Sequence, residues 1–252
     1  MIKILAVIGD SFMRILSIGN SFSQDAQRYL HRLAKHDGFE LTTVNLYIGG
    51  CSLRTHYLNM LGDKTEYELE FNGEYTNIKV SIRQVLESVD WDVITLQQAS
   101  HFSAKKESYS PYIEELAQYV KKYCPHAQLF IHETWAYEDG SDRLKNVAGY
   151  DKAKDMLCDI QNAYKKAVET VNADGIIPCG TAMAKALSLG VEKMHRDTYH
   201  ASLGCGRYLL ALTWYKMLTR RDISKNDFDD FDEPVTKEER EIVIKAVNSS
   251  VK

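Results

Sequence analysis

The sequence predicts an α/β protein, a three-layer sandwich in which a mostly parallel β-sheet lies between two layers of helices. Short apolar runs of strand length alternate along the chain with longer segments whose apolar residues recur at helical spacing. Strands separated by helices of this length are typical of βαβ units, and such units build parallel sheets. The 252 residues have room for one domain of this kind, so we expect a single domain over residues 1–252.

The elements are predicted in a regular order. A buried strand at residues 15–18 ends at Gly19, and a helix is expected over the polar segment 24–37, which ends before Gly38. The remaining strands are rich in β-branched and apolar residues, and we expect them at residues 41–47, 92–96, 128–132 and 175–177. The remaining helices are expected at residues 81–89, 111–123, 152–171, 181–189, 202–218 and 236–247.

One stretch interrupts this alternation. Residues 65–80 alternate between polar and apolar side chains around Asn72-Gly73, a dipeptide typical of two-residue hairpin turns. The sequence therefore predicts a small β-hairpin, inserted within residues 62–80, between the second strand and its helix.

Two serines near the start of the chain follow similar apolar runs, Gly-Asp-Ser at Ser11 and Gly-Asn-Ser at Ser21. Only Phe12 and Met13 separate Ser11 from the next apolar run, which leaves no room for a helix. After Ser21 there is room for about four helical turns. Ser21 is therefore the better candidate for a strand-to-helix turn, and an alternative start at Met13 would make residues 1–12 an N-terminal extension.

The composition excludes several classes of function. The net charge is −4 and the isoelectric point is about 6.1, so the chain lacks the broad basic surface that nucleic acid requires. No apolar run approaches the roughly 18 residues that a membrane helix needs. We expect neither a nucleic acid nor a membrane as partner, and the sequence leaves the oligomeric state open.

The five cysteines are scattered and form no Cys-x-x-Cys pair. This pattern predicts buried free thiols in a reducing compartment rather than a zinc cluster or a disulfide framework. No signal-peptide core precedes the first strand, so the expected location is the cytoplasm. A secreted protein trimmed of its leader would have the same sequence.

A serine at a strand-to-helix turn has its hydroxyl at the carboxyl end of the sheet and its N–H at a helix N-terminus. Ser21 is therefore a candidate nucleophile. Asp197 and His200 precede the helix expected at residues 202–218. An aspartate three residues before a histidine can orient the imidazole for proton transfer. A metal site built from His195, Asp197 and His200, with His132 or Glu133, is the alternative.

Other residues follow strands at the same edge of the sheet, where open parallel sheets bind ligands. The N–H groups of Gly50 and Ser21, with an amide from Gln97 or Gln98, are candidate donors to an oxyanion. Trp135 follows a strand end and is a candidate for stacking on a sugar.

These motifs resemble the sequence blocks of the SGNH, or GDSL-like, hydrolase superfamily. Residues 19–22 (Gly-Asn-Ser-Phe) resemble its serine block, residues 48–52 (Ile-Gly-Gly-Cys-Ser) its glycine block, and residues 197–200 (Asp-Thr-Tyr-His) its final block. The similarity runs from residue 14 to about residue 218 and is greatest to a bacterial branch of the superfamily.

The resemblance implies a flavodoxin-like fold and a serine hydrolase that cleaves an ester without a metal or an organic cofactor. In that scheme Ser21 is the nucleophile, His200 the general base and Asp197 the residue that orients it. Gly50 takes the place of the family's oxyanion glycine. The implied substrate is a small-molecule or glycan ester, an O-acylated carbohydrate with an acetyl-type group.

The chain departs from the family pattern at two points. Asn20 stands where the serine block usually has aspartate, and residues 97–100 (Gln-Gln-Ala-Ser) replace the usual Gly-x-Asn-Asp block. The oxyanion asparagine is therefore absent, and Gln97 or Gln98 must replace it. This departure favours an alternative, a catalytically silent glycan- or ligand-binding domain on the same fold.

Overall fold

The computed structural model describes residues 12–251, which form a seven-stranded mixed sheet between two layers of helices. Strands β1 to β7 lie at Met13–Gly19, Leu41–Tyr47, Tyr67–Phe71, Glu74–Val80, Val93–Leu96, Gln128–His132 and Gly175–Ile177. Helices α1 to α9 lie at Ser21–Gln27, Leu30–His36, Leu53–Leu61, Ile82–Leu86, Tyr112–Tyr123, Ala153–Val171, Cys179–Ser188, Cys205–Thr219 and Lys237–Ser250. Ser11 and the greater part of the proposed extension 1–12 lie outside the described residues.

The strand order across the sheet is β4-β3-β2-β1-β5-β6-β7. Strand β1 pairs in parallel with β2 on one side and with β5 on the other, and β5, β6 and β7 continue in parallel. The parallel strands therefore have the flavodoxin-like order, which confirms the predicted fold class. The order reverses at β1, and ligands bind beyond the carboxyl ends of the strands at such a point.

The predicted hairpin is present at one edge of this sheet. Its strands β3 and β4 are antiparallel, and β3 pairs with β2. Asn72 and Gly73 at its tip both have positive φ values, 52° and 83°, the conformation that a type I′ turn requires.

Strand side chains alternate between two apolar cores. Ile15 of β1 and Val93 of β5 face the core that contains α1, α2, α7, α8 and α9. Their neighbours Leu16 and Ile94 face the core that contains α3, α4, α5 and α6. The sequence of a strand that is buried on both faces is a continuous apolar run, because neither of its faces meets water.

The structure corrects two local predictions. The segment 24–37 is two helices, α1 and α2, which separate at Arg28 and Tyr29. The hairpin tip contacts the chain at this break, because Arg28 Nη1 donates to the Gly73 carbonyl at 3.2 Å. Helix α3 was not predicted, because its buried face includes the polar residues His56 and Asn59 and blurs the apolar periodicity.

Among residues 12–251, no helix combines the length and the apolar character needed to span a bilayer.

Candidate active site

Ser21 is the first residue of α1, just beyond the carboxyl end of the central strand β1. Asn20 caps this helix: its Oδ1 accepts a hydrogen bond from the Phe22 N–H at 3.0 Å, and its own N–H donates to Ser23 Oγ at 3.0 Å. Strand and cap together fix the backbone on both sides of Ser21. The Ser21 N–H belongs to the first turn of the helix, where backbone donors have no helical acceptor.

The loop before α8 brings His200 to Ser21. Its Nε2 lies 2.8 Å from Ser21 Oγ, and its Nδ1 lies 2.7 Å from Asp197 Oδ2. Burial raises the pKa of Asp197, but the hydrogen bonds from the side chain and backbone of His200 outweigh it, so the net pKa lies below its usual value. An ionised Asp197 holds the proton on Nδ1, which leaves Nε2 free to accept the Ser21 proton.

Residues 195–201, the histidine loop, fold back on themselves. His195 and Ala201 form an antiparallel bridge, and the Arg196 N–H donates to the His200 carbonyl at 3.0 Å. Thr198 has a φ of +72°, which a β-branched residue rarely adopts. The Glu138 N–H donates to its carbonyl at 2.8 Å, so a neighbouring segment holds the turn in this conformation.

A buried carboxylate fastens this loop to α1. Asp25 lies one turn after Ser21 and is fully buried. Both of its oxygens lie 2.9 Å from Arg196 Nη1, its Oδ1 accepts from Arg207 Nε at 2.9 Å, and its Oδ2 accepts from the Ala201 N–H at 3.2 Å. Asp25 thereby sets the spacing between the helix that carries Ser21 and the loop that carries His200.

Gly50 lies in a tight turn after β2. The Cys51 N–H donates to the Ile48 carbonyl at 3.1 Å, and Gly50 has a φ of +63°, which glycine adopts without strain. The side chain of Asn20 ties this turn to α1, because its Nδ2 donates to the Cys51 carbonyl at 3.0 Å. Within residues 12–251, the Gly50 N–H donates no hydrogen bond to another backbone group.

The two glutamines after β5 are engaged away from Ser21. Gln97 is buried, and its Nε2 donates to Asn20 Oδ1 at 2.6 Å. Gln98 Nε2 donates to the carbonyl and hydroxyl oxygens of Ser108 at 3.0 and 3.1 Å. Both amides thus bind residues other than Ser21, and neither glutamine lines the pocket into which Ser21 opens. We therefore correct the expectation that one of them is the missing donor. Gln97 instead positions Asn20.

Trp135 is fully buried, which corrects its expected role as a sugar platform. Its ring stacks on Phe22 at a centroid distance of 4.1 Å, and its Nε1 donates to the Tyr199 carbonyl at 2.7 Å. A covered ring has no face to offer a sugar. Trp135 instead supports the histidine loop through its hydrogen bond to Tyr199.

The residues considered for a metal site are separated by other contacts. His195 Nε2 lies 3.0 Å from the Ala136 carbonyl, and Glu133 Oε1 accepts from the Thr181 N–H at 2.7 Å. Nδ1 of the buried His132 lies 2.6 Å from Gln97 Oε1, and burial lowers the pKa of His132 to about 3. Within residues 12–251, no three His, Cys, Asp or Glu side chains are grouped so that they could hold a metal ion.

The candidate site opens into a pocket of about 390 Å³, which we call the Ser21 pocket. Ser21, Gly50, His101, Arg143 and His200 are among the residues that line it. A separate cavity of about 460 Å³ lies between the segment after β6 and α7, and neither Ser21 nor His200 lines it. The chemistry described above therefore belongs to the Ser21 pocket and not to the larger cavity.

Sequence reasoning missed Asp25, Arg143 and Tyr199. The sequence could have indicated Asp25, because it follows Ser21 by four positions and therefore lies on the same face of the helix. That face meets the histidine loop. Arg143 and Tyr199 carry no such signal, because the chain folding alone brings residue 143 to the loop at 199.

Comparisons with known proteins agree with this architecture. A protein of the DUF4886 family from Bacteroides uniformis is 33% identical, with a TM-score of 0.88 over 96% of this chain and 95% of that one. A proposed SGNH hydrolase from Slackia heliotrinireducens is 25% identical, with a TM-score of 0.60 over 82% of this chain and 98% of that one.

More distant similarity shows the fold alone. A member of the lipolytic G-D-S-L family from Veillonella parvula is 14% identical, with a TM-score of 0.53 over 83% of this chain and 100% of that one. No protein of curated function matches the chain. The family described as "Domain of unknown function (DUF4886)" matches residues 14–249. The chain therefore belongs to the DUF4886 family, whose structural neighbours are SGNH and GDSL-like hydrolases.

Proposed function

We propose that the protein is a serine hydrolase that cleaves an ester by acyl transfer to Ser21. The observation that carries this proposal is the hydrogen-bonded chain Ser21–His200–Asp197, with distances of 2.8 and 2.7 Å. A serine is a weak nucleophile until an adjacent base accepts its proton, and these contacts supply that base and the group that orients it. The similarity to an SGNH hydrolase at 25% identity adds support.

The reaction proceeds in two half-reactions. His200 Nε2 accepts the Ser21 proton while Oγ attacks the acyl carbon, and the carbonyl oxygen becomes an oxyanion. The bond from carbon to the alkoxy oxygen then breaks, and His200 gives its proton to the departing alcohol. Water repeats these steps on the acyl-enzyme, so that the carboxylic acid leaves and Ser21 regains its proton.

The N–H groups of Ser21 and Gly50 are the proposed donors to the oxyanion. Removal of one such donor in other hydrolases slows the reaction about a hundredfold to a thousandfold. An O-acylated carbohydrate is the proposed substrate class, and it rests on the resemblance described above.

One observation favours a second candidate, a ligand-binding domain without activity. The amides of Gln97 and Gln98 bind other residues and neither glutamine lines the Ser21 pocket, so the block after β5 contributes no side-chain amide donor to an oxyanion. With two donors instead of three, the fold is compatible with a site that binds an ester and does not hydrolyse it.

Labelling with a fluorophosphonate probe tests the proposal. We expect the wild-type protein to be labelled and Ser21→Ala to lose the label. Ser100→Ala is the matched control, because Ser100 lines the same pocket and its hydroxyl bonds Tyr137 instead of a histidine. Ser11→Ala tests the other serine that follows a similar apolar run, and loss of label there would overturn the assignment. A folded protein that takes no label would favour the binding domain.

A further inference from the structure

The Ser21 pocket differs in charge from the molecule as a whole. The chain has a net charge of −4, yet the ionised residues that line this pocket are the cations Arg143 and Arg196. No aspartate or glutamate of the described residues lines it. A pocket with this lining attracts a negative group.

Only one of these two cations is neutralised by the protein. Arg196 binds both oxygens of the buried Asp25. Arg143 differs: within residues 12–251, no carboxylate oxygen lies within 4 Å of its guanidinium nitrogens. The charge of Arg143 is therefore available to a ligand.

Arg143 is held in place by aromatic rings. Its Cζ lies 3.7 Å from the centroid of the Tyr199 ring and 5.7 Å from that of Tyr137. The next residue, Leu144, is buried and anchors the segment. A guanidinium that lies over a ring keeps its N–H donors in its own plane, where they can bind a carboxylate through two parallel hydrogen bonds.

Another residue that lines the pocket, His101, lies close enough to Arg143 to feel its charge. Burial lowers the pKa of His101, and the charges of Lys105 and Arg143 lower it further. His101 is therefore a neutral imidazole near pH 7, which leaves Arg143 as the unneutralised cation among the lining residues.

The position of Arg143 indicates which part of the ester it meets. The Tyr199 ring, on which it lies, is next to the His200 ring at a centroid distance of 3.8 Å. In the proposed reaction His200 delivers its proton to the departing alcohol. We propose that the alcohol part of the substrate carries a carboxylate and that Arg143 binds it. This inference rests on the proposed function and narrows its substrates to esters of an alcohol that carries a carboxylate.

A pair of acetyl esters that differ in one group provides the test. The esters are 3-acetoxybenzoate, which carries a carboxylate on the alcohol, and 3-acetoxybenzamide, which is neutral. Each ester is compared between wild type and variant, so that differences in intrinsic reactivity cancel. We expect Arg143→Gln to lose about tenfold to a hundredfold more kcat/KM on the carboxylate ester than on the carboxamide, mainly through KM.

Two further variants keep this result specific. Lys145→Gln removes a positive charge from an exposed residue two positions away that does not line the pocket, and it should keep the wild-type preference. Arg143→Lys keeps the charge and loses the planar pair of donors, so it should regain part of the preference. Equal losses on both esters in Arg143→Gln would overturn the inference and leave the proposed hydrolase intact.

A binding measurement separates the two proposals when neither ester is cleaved. In that case the Ser21→Ala protein is titrated with 3-acetoxybenzoate and with 3-acetoxybenzamide, and binding is followed by NMR. Tighter binding of the carboxylate, lost in the Ser21→Ala/Arg143→Gln protein, would support the anion site without catalysis. Equal affinity for both compounds would overturn it.

Discussion

At the residue scale, Asn20 joins the segments that follow three neighbouring strands, β1, β2 and β5. Its Oδ1 accepts from the Phe22 N–H and the Gln97 amide, and its Nδ2 donates to the Cys51 carbonyl. An aspartate could accept the first two bonds but has no proton for the third when it is ionised. The asparagine therefore suits a site in which the side chain must also hold the glycine turn.

A residue outside the proposed mechanism gives a prediction about pH. Burial raises the pKa of Glu133 to about 6, although hydrogen bonds from Thr181 and Gly180 oppose the shift. As the pH rises, the unfolded state, in which Glu133 has a pKa of 4.5, therefore releases the carboxyl proton before the native state does. The contribution of Glu133 to the free energy of unfolding is therefore fully present below pH 4.5. About 2 kcal/mol of it is lost as the pH rises through 6.

Urea unfolding of wild type and Glu133→Gln at a series of pH values measures this effect. The free energy of unfolding of wild type, relative to the variant, should fall by about 2 kcal/mol between pH 4 and pH 7. Glu40→Gln, at an exposed glutamate, controls for the loss of one carboxylate. A constant difference between wild type and Glu133→Gln across this range would contradict the prediction.

At the element scale, the contact between α1 and the histidine loop depends on Asp25. Asp25→Asn leaves Arg196 and Arg207 without their shared anion, and breaking a buried ion pair in this way costs about 3 kcal/mol or more. We expect the free energy of unfolding to fall by that amount. We also expect slower fluorophosphonate labelling of Ser21, because His200 loses its fixed distance from Oγ.

Asp232→Asn separates these two effects. Asp232 binds Arg28 and Arg207 but not the histidine loop, so its loss should reduce stability and leave the labelling rate near that of wild type. Asp25→Glu keeps the charge and should recover part of both losses. If Asp25→Asn labels as fast as Asp232→Asn, Asp25 has a structural role only.

The elements also show what a sequence can predict. The strand 41–47 was predicted with the bounds that the structure has, because β-branched alternation ends there at two glycines. Helix α3 was missed because His56 and Asn59 occupy buried positions. His56 Nδ1 lies 2.9 Å from the hydroxyl of Tyr67, a partner that follows from the fold and not from local pattern.

The candidate site divides in the same way. Ser21, Asp197 and His200 lie at the ends of predictable elements, and the structure brings them within hydrogen-bonding distance; their catalytic role stays a prediction. The contacts of Gln97 and the burial of Trp135 could not be predicted, since both depend on side chains that meet across the sheet. Local sequence places a residue at the sheet edge and does not say which way its side chain points.

At the scale of the whole molecule, the thiols offer a test of the packing. Cys158 on α6 is exposed, and the other four cysteines are buried and unpaired. Burial raises the pKa of Cys51 and Cys205 to about 12 and that of Cys124 to about 11. Buried thiols with raised pKa values react slowly, because the thiolate is the reactive form.

We therefore expect one thiol per native molecule to react rapidly with an aromatic disulfide reagent such as DTNB, and all five to react after unfolding in guanidinium. Cys158→Ser should abolish the rapid reaction without a change in the thermal unfolding midpoint. Two or more rapid thiols in the native protein would show that at least one of the four buried cysteines is open to solvent.

The histidine loop is held at two points, by Asp25 at Ala201 and by the indole of Trp135 at Tyr199. Ordering a loop costs conformational entropy. Here that entropy is lost once, while the chain folds, and in the proposed hydrolase it would not be lost again in every turnover. The reacting groups would thus meet each substrate already aligned, and the rate would be governed by bond making and proton transfer rather than by the closing of a lid.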